Sequence, residues 1–297
     1  METPLVVGVD GSDAGLTATD WAADQAVRLG VPLRIVHASR WERYEGSVPA
    51  WSLNRPSGQV RAENIAATAA ERALRHAPGL KVTTDVLVED AASALLREAR
   101  SADAVVVGSR GRGELADLLL GSVGLIVAAR SHGPVIVVRG HQHARYARHQ
   151  SVLLGIGEHD VAVRFAFREA VLRQAELDAV HAWRRPAAHE PAGHPLLTGS
   201  VAHHEEQRAT AFLGKAVEAA ARAYPEVRLR RTTVEGPAHK TLVARSTAAD
   251  LLVVGARRRE GHFGMEPGRG AHRALHHAAC PVAVVPQDHR APTGGER

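Results

Sequence analysis

The sequence predicts an α/β fold with a parallel sheet, present twice. Short, nearly continuous apolar runs alternate with segments of helical periodicity. Uninterrupted apolar runs mark strands buried on both faces, which is the condition of a parallel sheet covered by helices. The third observation is an internal repeat. Gly8 and Gly155 lie 147 residues apart, and so do Asp103 and Asp250, Gly108 and Gly255, Gly121 and Gly268, and Pro134 and Pro281. One offset at both ends of the chain means two copies of one domain.

In the first copy the strands are expected at Leu5–Val9, Leu33–Ala38, Val82–Val88, Ala104–Val107 and Val135–Val138. The first helix is read from Ala18, Trp21, Ala22, Ala26 and Leu29, which fall on one helical face. Further helices are expected at Gln59–Ala77, Ala91–Arg100 and Ser122–His132, with Gly133-Pro134 as C-cap and stop of the last. This gives five strands and four helices per copy, joined by βαβ crossovers. The segment Ser39–Gly58 is a loop over one edge, and its counterpart at 184–201, poor in apolar residues, is expected to be a mobile loop. The domains are placed at 1–140 and 150–288, around the polar join GHQHARYARHQ.

The 297 residues suit about two domains at ~150 residues each. A 45% hydrophobic, 23% charged composition excludes wholesale disorder. No run of eighteen apolar residues is present, so no helix is expected to span a bilayer. The N-terminus lacks the pattern of a signal peptide. A single cysteine, Cys280, excludes an intrachain disulfide and a cysteine-cluster zinc site. These features lead to the expectation of a soluble, cytoplasmic protein. The net charge of +5 falls wholly beyond residue 147 and, spread over a domain, is weak support for nucleic-acid binding.

Ligands of open parallel sheets sit beyond the carboxyl ends of the strands. There the first copy places Gly8-Val9-Asp10-Gly11-Ser12, then Gly108-Ser109-Arg110-Gly111-Arg112-Gly113, and Gly121-Ser122-Val123 opening a helix. Glycines let backbone N–H groups approach a phosphate, and a helix start adds unpaired donors and positive potential. Ser122 has a hydroxyl to donate, and Asp10 is an acceptor for a base or ribose. Ser12 and Asp13 read as helix caps or as ligand contacts. Neither GxxxxGK[ST] nor GxGxxG occurs, which excludes a P-loop NTPase and a dinucleotide-binding domain. What remains is G-x2-G-x9-G-[S/T] through Gly108, Gly111, Gly121 and Ser122.

With VGVDGS, the VxHA after the second strand, GSRGRGELADLLLGSV and the closing GPVIVV, nearly the whole chain resembles the universal stress protein family in its tandem form. The resemblance implies two Rossmann-like domains of the adenine nucleotide alpha hydrolase-like type and ATP as ligand, with or without Mg2+. It implies that Asp10 and Ala38 lie near adenine or ribose and that Val107 and Gly108 line the ribose. Arg110, Gly111, Gly121, Ser122 and Val123 would cradle the phosphates. Arg110 stands where the family often has His. The resemblance also implies an intrachain pseudo-dimer of the two copies through their final strands, Val135–Val138 and Val282–Val285, or a homodimer.

The second copy has lost the motif. Asp10 becomes Gly157, Gly11 and Ser12 become Glu158 and His159, Gly111 becomes Arg258, and Ser122 becomes Arg269. Arg257, Arg258, Arg259 and Arg269 make a solvated basic loop or a site for another anion. His272 and His276, at i and i+4, read as an exposed polar face or as two metal ligands without a third. His37 recurs as His181, which favours a structural role. No catalytic constellation is visible. The expected function is ATP binding by the first copy in stress adaptation. Slow ATP hydrolysis and a nucleotide-independent scaffold are the alternatives.

Overall fold

A computed structural model describes residues 3–40, 57–109, 121–157, 161–184, 195–256 and 269–286. The chain divides into two compact units, one beginning at the N-terminus and running to Arg139, the other beginning at Gly140. Each holds a five-stranded parallel sheet with helices on both faces.

The first unit runs β1 (Leu5–Gly8), α1 (Asp13–Leu29), β2 (Leu33–Ala38), α2 (Ser57–His76), β3 (Val82–Leu87), α3 (Ala91–Glu98), β4 (Ala104–Gly108), α4 (Ser122–Arg130) and β5 (Val135–Val138). Its strand order is β3-β2-β1-β4-β5. β1 pairs with β2 from Leu5↔Leu33 and with β4 from Leu5↔Ala104. The first two crossovers therefore run one way along the sheet and the last two run the other way. Right-handed crossovers then place α1 and α2 on one face and α3 and α4 on the opposite face. The reversal falls between β1 and β4, where open sheets of this kind leave a crevice.

The inner predicted strands are buried as expected: Leu5, Val7, Leu33, Ile35, Val105, Val106 and Val137 are fully enclosed. The strand expected at Val82–Val88 is corrected in this respect, since β3 lies at the sheet edge with Thr83 and Thr84 exposed. The apolar stripe of α1 is buried at Ala18, Trp21, Ala22 and Ala26. The helix begins on Ser12, whose Oγ accepts from the Gly15 N–H at 3.1 Å, and ends on Gly30 at φ 68°. α2 presents a thin stripe, Ala62, Ala66, Ala69 and Ala73. α1 and α2 are also joined by Arg72, which donates to both carboxylate oxygens of Asp20 at 2.7 Å.

One cap differs from expectation. α4 ends at Arg130 with Ser131 as its C-cap, in extended conformation, and Gly133 is not a cap. The Ser131 Oγ donates to the Gly133 carbonyl at 2.7 Å and accepts from the Gly133 N–H at 3.1 Å. Gly133 is required for space, because a Cβ there would lie 2.9 Å from the Ala99 carbonyl oxygen.

The second unit opens with α5 (Gln142–Arg145), a short helix in the polar join. His141 N–H donates to the Ala279 carbonyl at 2.9 Å, so the join is laid against its own unit. Then follow β6 (Ser151–Ile156), α6 (Val161–Arg173), β7 (Glu176–Trp183), α7 (Pro195–Ala223), β8 (Leu229–Glu235), α8 (Ala238–Arg245), a 3-10 turn (Ser246–Ala248), β9 (Leu251–Ala256), α9 (Arg269–His277) and β10 (Val282–Pro286). The order β8-β7-β6-β9-β10 repeats the first unit. The expected loop at 184–201 is corrected at its end, since residues from Pro195 are helical. Proline is favoured at a first helical position, where its missing N–H costs no bond. Residues 185–194 lie outside the described residues.

The repeat extends to packing. A Cβ on Gly8 would meet Leu95 Cδ1 at 2.8 Å, and one on Gly155 would meet Leu242 Cδ1 at 2.7 Å. His37 Nδ1 lies 2.8 Å from the Val9 carbonyl, and His181 Nδ1 lies 3.0 Å from the Ile156 carbonyl. The recurring histidine therefore ties the second strand of each copy to the end of the first.

Candidate functional site

The carboxyl end of the first sheet brings together the predicted residues that lie among the described ones. Asp10 follows β1, Ala38 closes β2, and Val107 and Gly108 close β4. Gly108 has a steric reason to be glycine: a Cβ would stand 2.7 Å from the Ala14 carbonyl oxygen and 3.1 Å from Gly15 N. The end of β4 thus touches the first turn of α1 through backbone alone.

The described residues on either side of 110–120 are tied together. Ser109 N–H donates to the Val138 carbonyl at 3.1 Å, and Gly121 N–H donates to the Ser109 carbonyl at 3.0 Å. Arg110 and Gly111, predicted phosphate contacts, lie between these ends and outside the described residues. Gly121 is the N-cap of α4 and supplies no side-chain acceptor. By contrast, Ser12 caps α1, and Asp90 caps α3 by accepting from the Ala92 and Ser93 N–H groups at 3.1 Å. Ser122 and Val123, the first two residues of α4, therefore keep backbone donors that their helix does not use. Ser122 is exposed. This helix start carries positive potential and has no acidic residue in its first turn.

Asp10 is engaged locally. Its Oδ1 accepts from Ser12 N–H at 3.0 Å and from Ser12 Oγ at 2.6 Å. The same Ser12 hydroxyl caps α1, so Asp10 orients the cap. Gly11 sits at φ 79°, in the left-handed region that favours glycine.

A groove of about 350 Å3 opens beside Gly11, between α1 and α2. Sequence reasoning missed it. Leu16, Val60 and Ile65 form its apolar wall, and Arg61, Asn64 and Thr68 add polar groups. The available signal was the spacing 57, 60, 61, 64, 65, 68, a single helical stripe.

The second copy lacks the carboxylate. Gly157, in the place of Asp10, is exposed with open space around a built Cβ. Arg257, Arg258 and Arg259 lie outside the described residues, and Arg269 is the first residue of α9. The rings of His272 and His276 stand 4.5 Å apart. His272 is exposed whereas His276 is buried, so the two do not share one exposed polar face. Among the described residues no group of three His, Cys, Asp or Glu side chains is arranged to hold a metal ion. Cys280 is buried, as its strand entry predicts. Among the described residues no helix is long and apolar enough to cross a membrane.

The doubled parallel fold with its reversal point defines a tandem Rossmann-like protein. The family model described as "Universal stress protein family" matches residues 1–139 and again 150–286. The chain belongs to the universal stress protein family, in its two-domain form. It is 32% identical over 300 residues to a universal stress protein of Mycolicibacterium smegmatis, covering 96% of this chain and 97% of that one. It is 33% identical over 295 residues to one of Mycobacterium tuberculosis, covering 95% and 97%. Among solved structures, a universal stress protein from Archaeoglobus fulgidus shares the fold at a TM-score of 0.66 and 16% identity, over 96% of this chain and 98% of that one.

Proposed function

We propose that the first copy, residues 1–140, binds ATP in stress adaptation, and that the second, residues 150–288, is kept without an ATP site. The observation that carries this reading is the start of α4. It is uncapped, clasped to the end of β4, and preceded by the glycine spacing that lets a phosphate approach. The phosphates are assigned to the N–H groups of Ser122 and Val123, the Ser122 hydroxyl, and the loop glycines with Arg110. The ribose and base are assigned to the Asp10, Ala38, Val107 and Gly108 side. Mg2+, where present, would arrive with the ATP phosphates and would offset their negative charge. Nothing at the described site positions a water for in-line attack, so turnover is expected to be far below that of a dedicated ATPase. The second copy serves as the packing partner of the first through the charge-free final strands, in a cytoplasmic protein.

Calorimetric titration of the full chain with ATP, after removal of co-purified nucleotide, tests the reading. One site per chain is the expected result. Two equivalent sites overturn the assignment to the first copy. Absence of binding favours the nucleotide-independent scaffold, and product release at enzyme-like rates favours the ATPase.

A further inference from the structure

Residues 118–157 contain no acidic side chain but four arginines and four histidines. The later part of this stretch is the join between the two copies. The join has no counterpart inside the repeat, so the doubled fold does not dictate its composition. It lies at the amino end of the second sheet. His141 N–H donates to the Ala279 carbonyl at 2.9 Å, just before β10, and His149 N–H donates to Asp250 at 2.9 Å, just before β9. Ligands of open parallel sheets take the carboxyl end. The join is therefore a separate surface, and it belongs to the second unit.

The backbone of the join is fixed. α5 ends in a Schellman turn, in which Ala147 N–H donates to the Ala144 carbonyl at 3.2 Å and Arg148 N–H to the His143 carbonyl at 3.1 Å. Ala147 takes φ 53°, the left-handed conformation that α1 gives to Gly30. Gln150 is left-handed as well, at φ 52°. Asp250 is buried, and both its oxygens accept from backbone, Oδ1 from His149 and Oδ2 from Ser151. That carboxylate holds the chain in place and forms no ion pair with an arginine of the join.

The side chains, by contrast, are left open. Among the described residues Arg145 and Arg148 make no side-chain hydrogen bond or ion pair. Arg145 Nε is buried without a partner, a state that native proteins rarely keep. Several other arginines of this unit do find partners: Arg208 pairs with Glu205, Arg222 with Glu218, and Arg230 with Asp178. Tyr146, between the two open arginines in sequence, is 44% exposed. His141 and His143 are exposed, and the His143 ring stands 6.5 Å from that of His149.

We infer that the join, residues 141–149, binds single-stranded nucleic acid. A guanidinium fork meets a phosphate through two parallel hydrogen bonds, and Arg145 and Arg148 offer two such forks. The exposed Tyr146 ring offers a face on which a base stacks, and the imidazoles add flat faces and hydrogen-bond donors. Cations interleaved with an aromatic ring are the footprint of single-strand binding. An acidic peptide would engage the arginines but leave the ring without a role. A duplex keeps its base faces stacked inside and would do the same. Few phosphates are contacted, so binding is sequence-tolerant and falls with salt.

The test is fluorescence anisotropy of labelled oligothymidylate and oligouridylate, each of about ten nucleotides, with the full chain at low salt. Binding of either strand by the wild type is the expected result, with a log–log salt slope of about −1.4 for two arginines. Arg148→Ala is expected to reduce that slope by about 0.7. Tyr146→Ala is expected to weaken binding about tenfold, and Tyr146→Phe to retain it. Both positions are exposed, so these variants keep the fold. Arg145→Met is expected to weaken binding at an unchanged thermal midpoint, because Nε has no partner to lose. A lower midpoint with wild-type binding would make Arg145 structural and overturn its assignment. Gly111→Arg is expected to bind the strand as the wild type does; loss of binding there would move the strand to the proposed ATP site and overturn the inference. No binding by the wild type, equal binding of a duplex of the same length, or wild-type binding by both Tyr146→Ala and Arg148→Ala would also overturn it. So would binding of anionic phospholipid vesicles in place of the strands.

Discussion

Asp178, buried on β7, accepts a hydrogen bond from Arg245 Nη1 at 2.7 Å, and the corresponding pair in the first copy has its charges reversed. There Arg34 donates through Nε to Glu98 at 2.9 Å and pairs with Asp85 at 2.6 Å. Arg34 and Asp178 hold the same register position, next to Leu33 and Leu177, and Glu98 and Arg245 share the repeat offset. Thr232, in the place of Asp85, donates to Asp178 at 3.0 Å. Each copy thus joins its second strand, its third strand and its third helix through one central charge of opposite sign.

Asp178→Ala is expected to destabilise the protein by about 1–3 kcal/mol. The Asp178 side chain is 4% exposed, but Arg245 at 33% and Arg230 at 57% can turn to water, which keeps the cost below that of a fully buried pair. The hydrogen bond and charge of Asp178 raise the Arg230 pKa, so that arm stays cationic across ordinary pH. A lower urea midpoint at unchanged slope is the expected result. An unchanged midpoint would show that the network contributes nothing net.

Gly8→Ala is expected to cost about 1–3 kcal/mol through overpacking, because the new methyl enters the space of Leu95. The obstacle is the far end of a side chain, so Leu95→Val combined with Gly8→Ala is expected to cost less than the sum of the two changes. The same coupling is expected for Gly155→Ala with Leu242→Val. Denaturant midpoints of single and double variants measure it, and strict additivity would contradict the contact.

The inner strands were legible because both faces are buried, which leaves an apolar run with little polar alternation to misread; β3 and β8, at the sheet edges, carry Thr, Asp and Arg and are partly exposed. The capping role of Ser12 was legible as well, since it precedes a periodic segment. The end of α4 was not, because Gly133 answers to the Ala99 carbonyl, a contact with another helix's end. The start of α7 was hidden by Pro195, Thr198, Gly199 and Ser200, residues that usually mark loops although proline is tolerated at a first helical position. The charge reversal escaped because hydrophobic periodicity says nothing about which ions meet. The glycine motif was legible as residues in order, whereas the groove exists only once α1 and α2 are packed. No spacing in the sequence brings Leu16 to Ile65.

Asp10→Ala is expected to weaken ATP binding by about 1–3 kcal/mol and also to lower stability slightly. The second effect follows from Ser12, which loses the acceptor for both its N–H and its hydroxyl. Asp10→Asn keeps an acceptor oxygen and is expected to retain the cap while weakening the ligand contact. Titration and thermal unfolding of both variants separate the roles. Equal binding by both and by the wild type would place the ligand elsewhere.

Gly108 and Gly111 offer the sharpest separation between fold and site. A methyl on Gly108 meets backbone, the Ala14 carbonyl at 2.7 Å and Gly15 N at 3.1 Å, so no side-chain rotation relieves it. Gly108→Ala must push the first turn of α1 away from β4, with an expected cost of about 1–3 kcal/mol and a parallel loss of ATP affinity. Gly111→Arg introduces the residue that the second copy carries at this place, Arg258. It is expected to leave the sheet unchanged and to put a side chain where the phosphates are proposed to approach. Its expected signature is abolished ATP binding with an unfolding midpoint near that of the wild type. Wild-type ATP affinity in Gly111→Arg would remove the glycine loop from the site. A fall in stability equal to that of Gly108→Ala would show that Gly111 serves the fold instead.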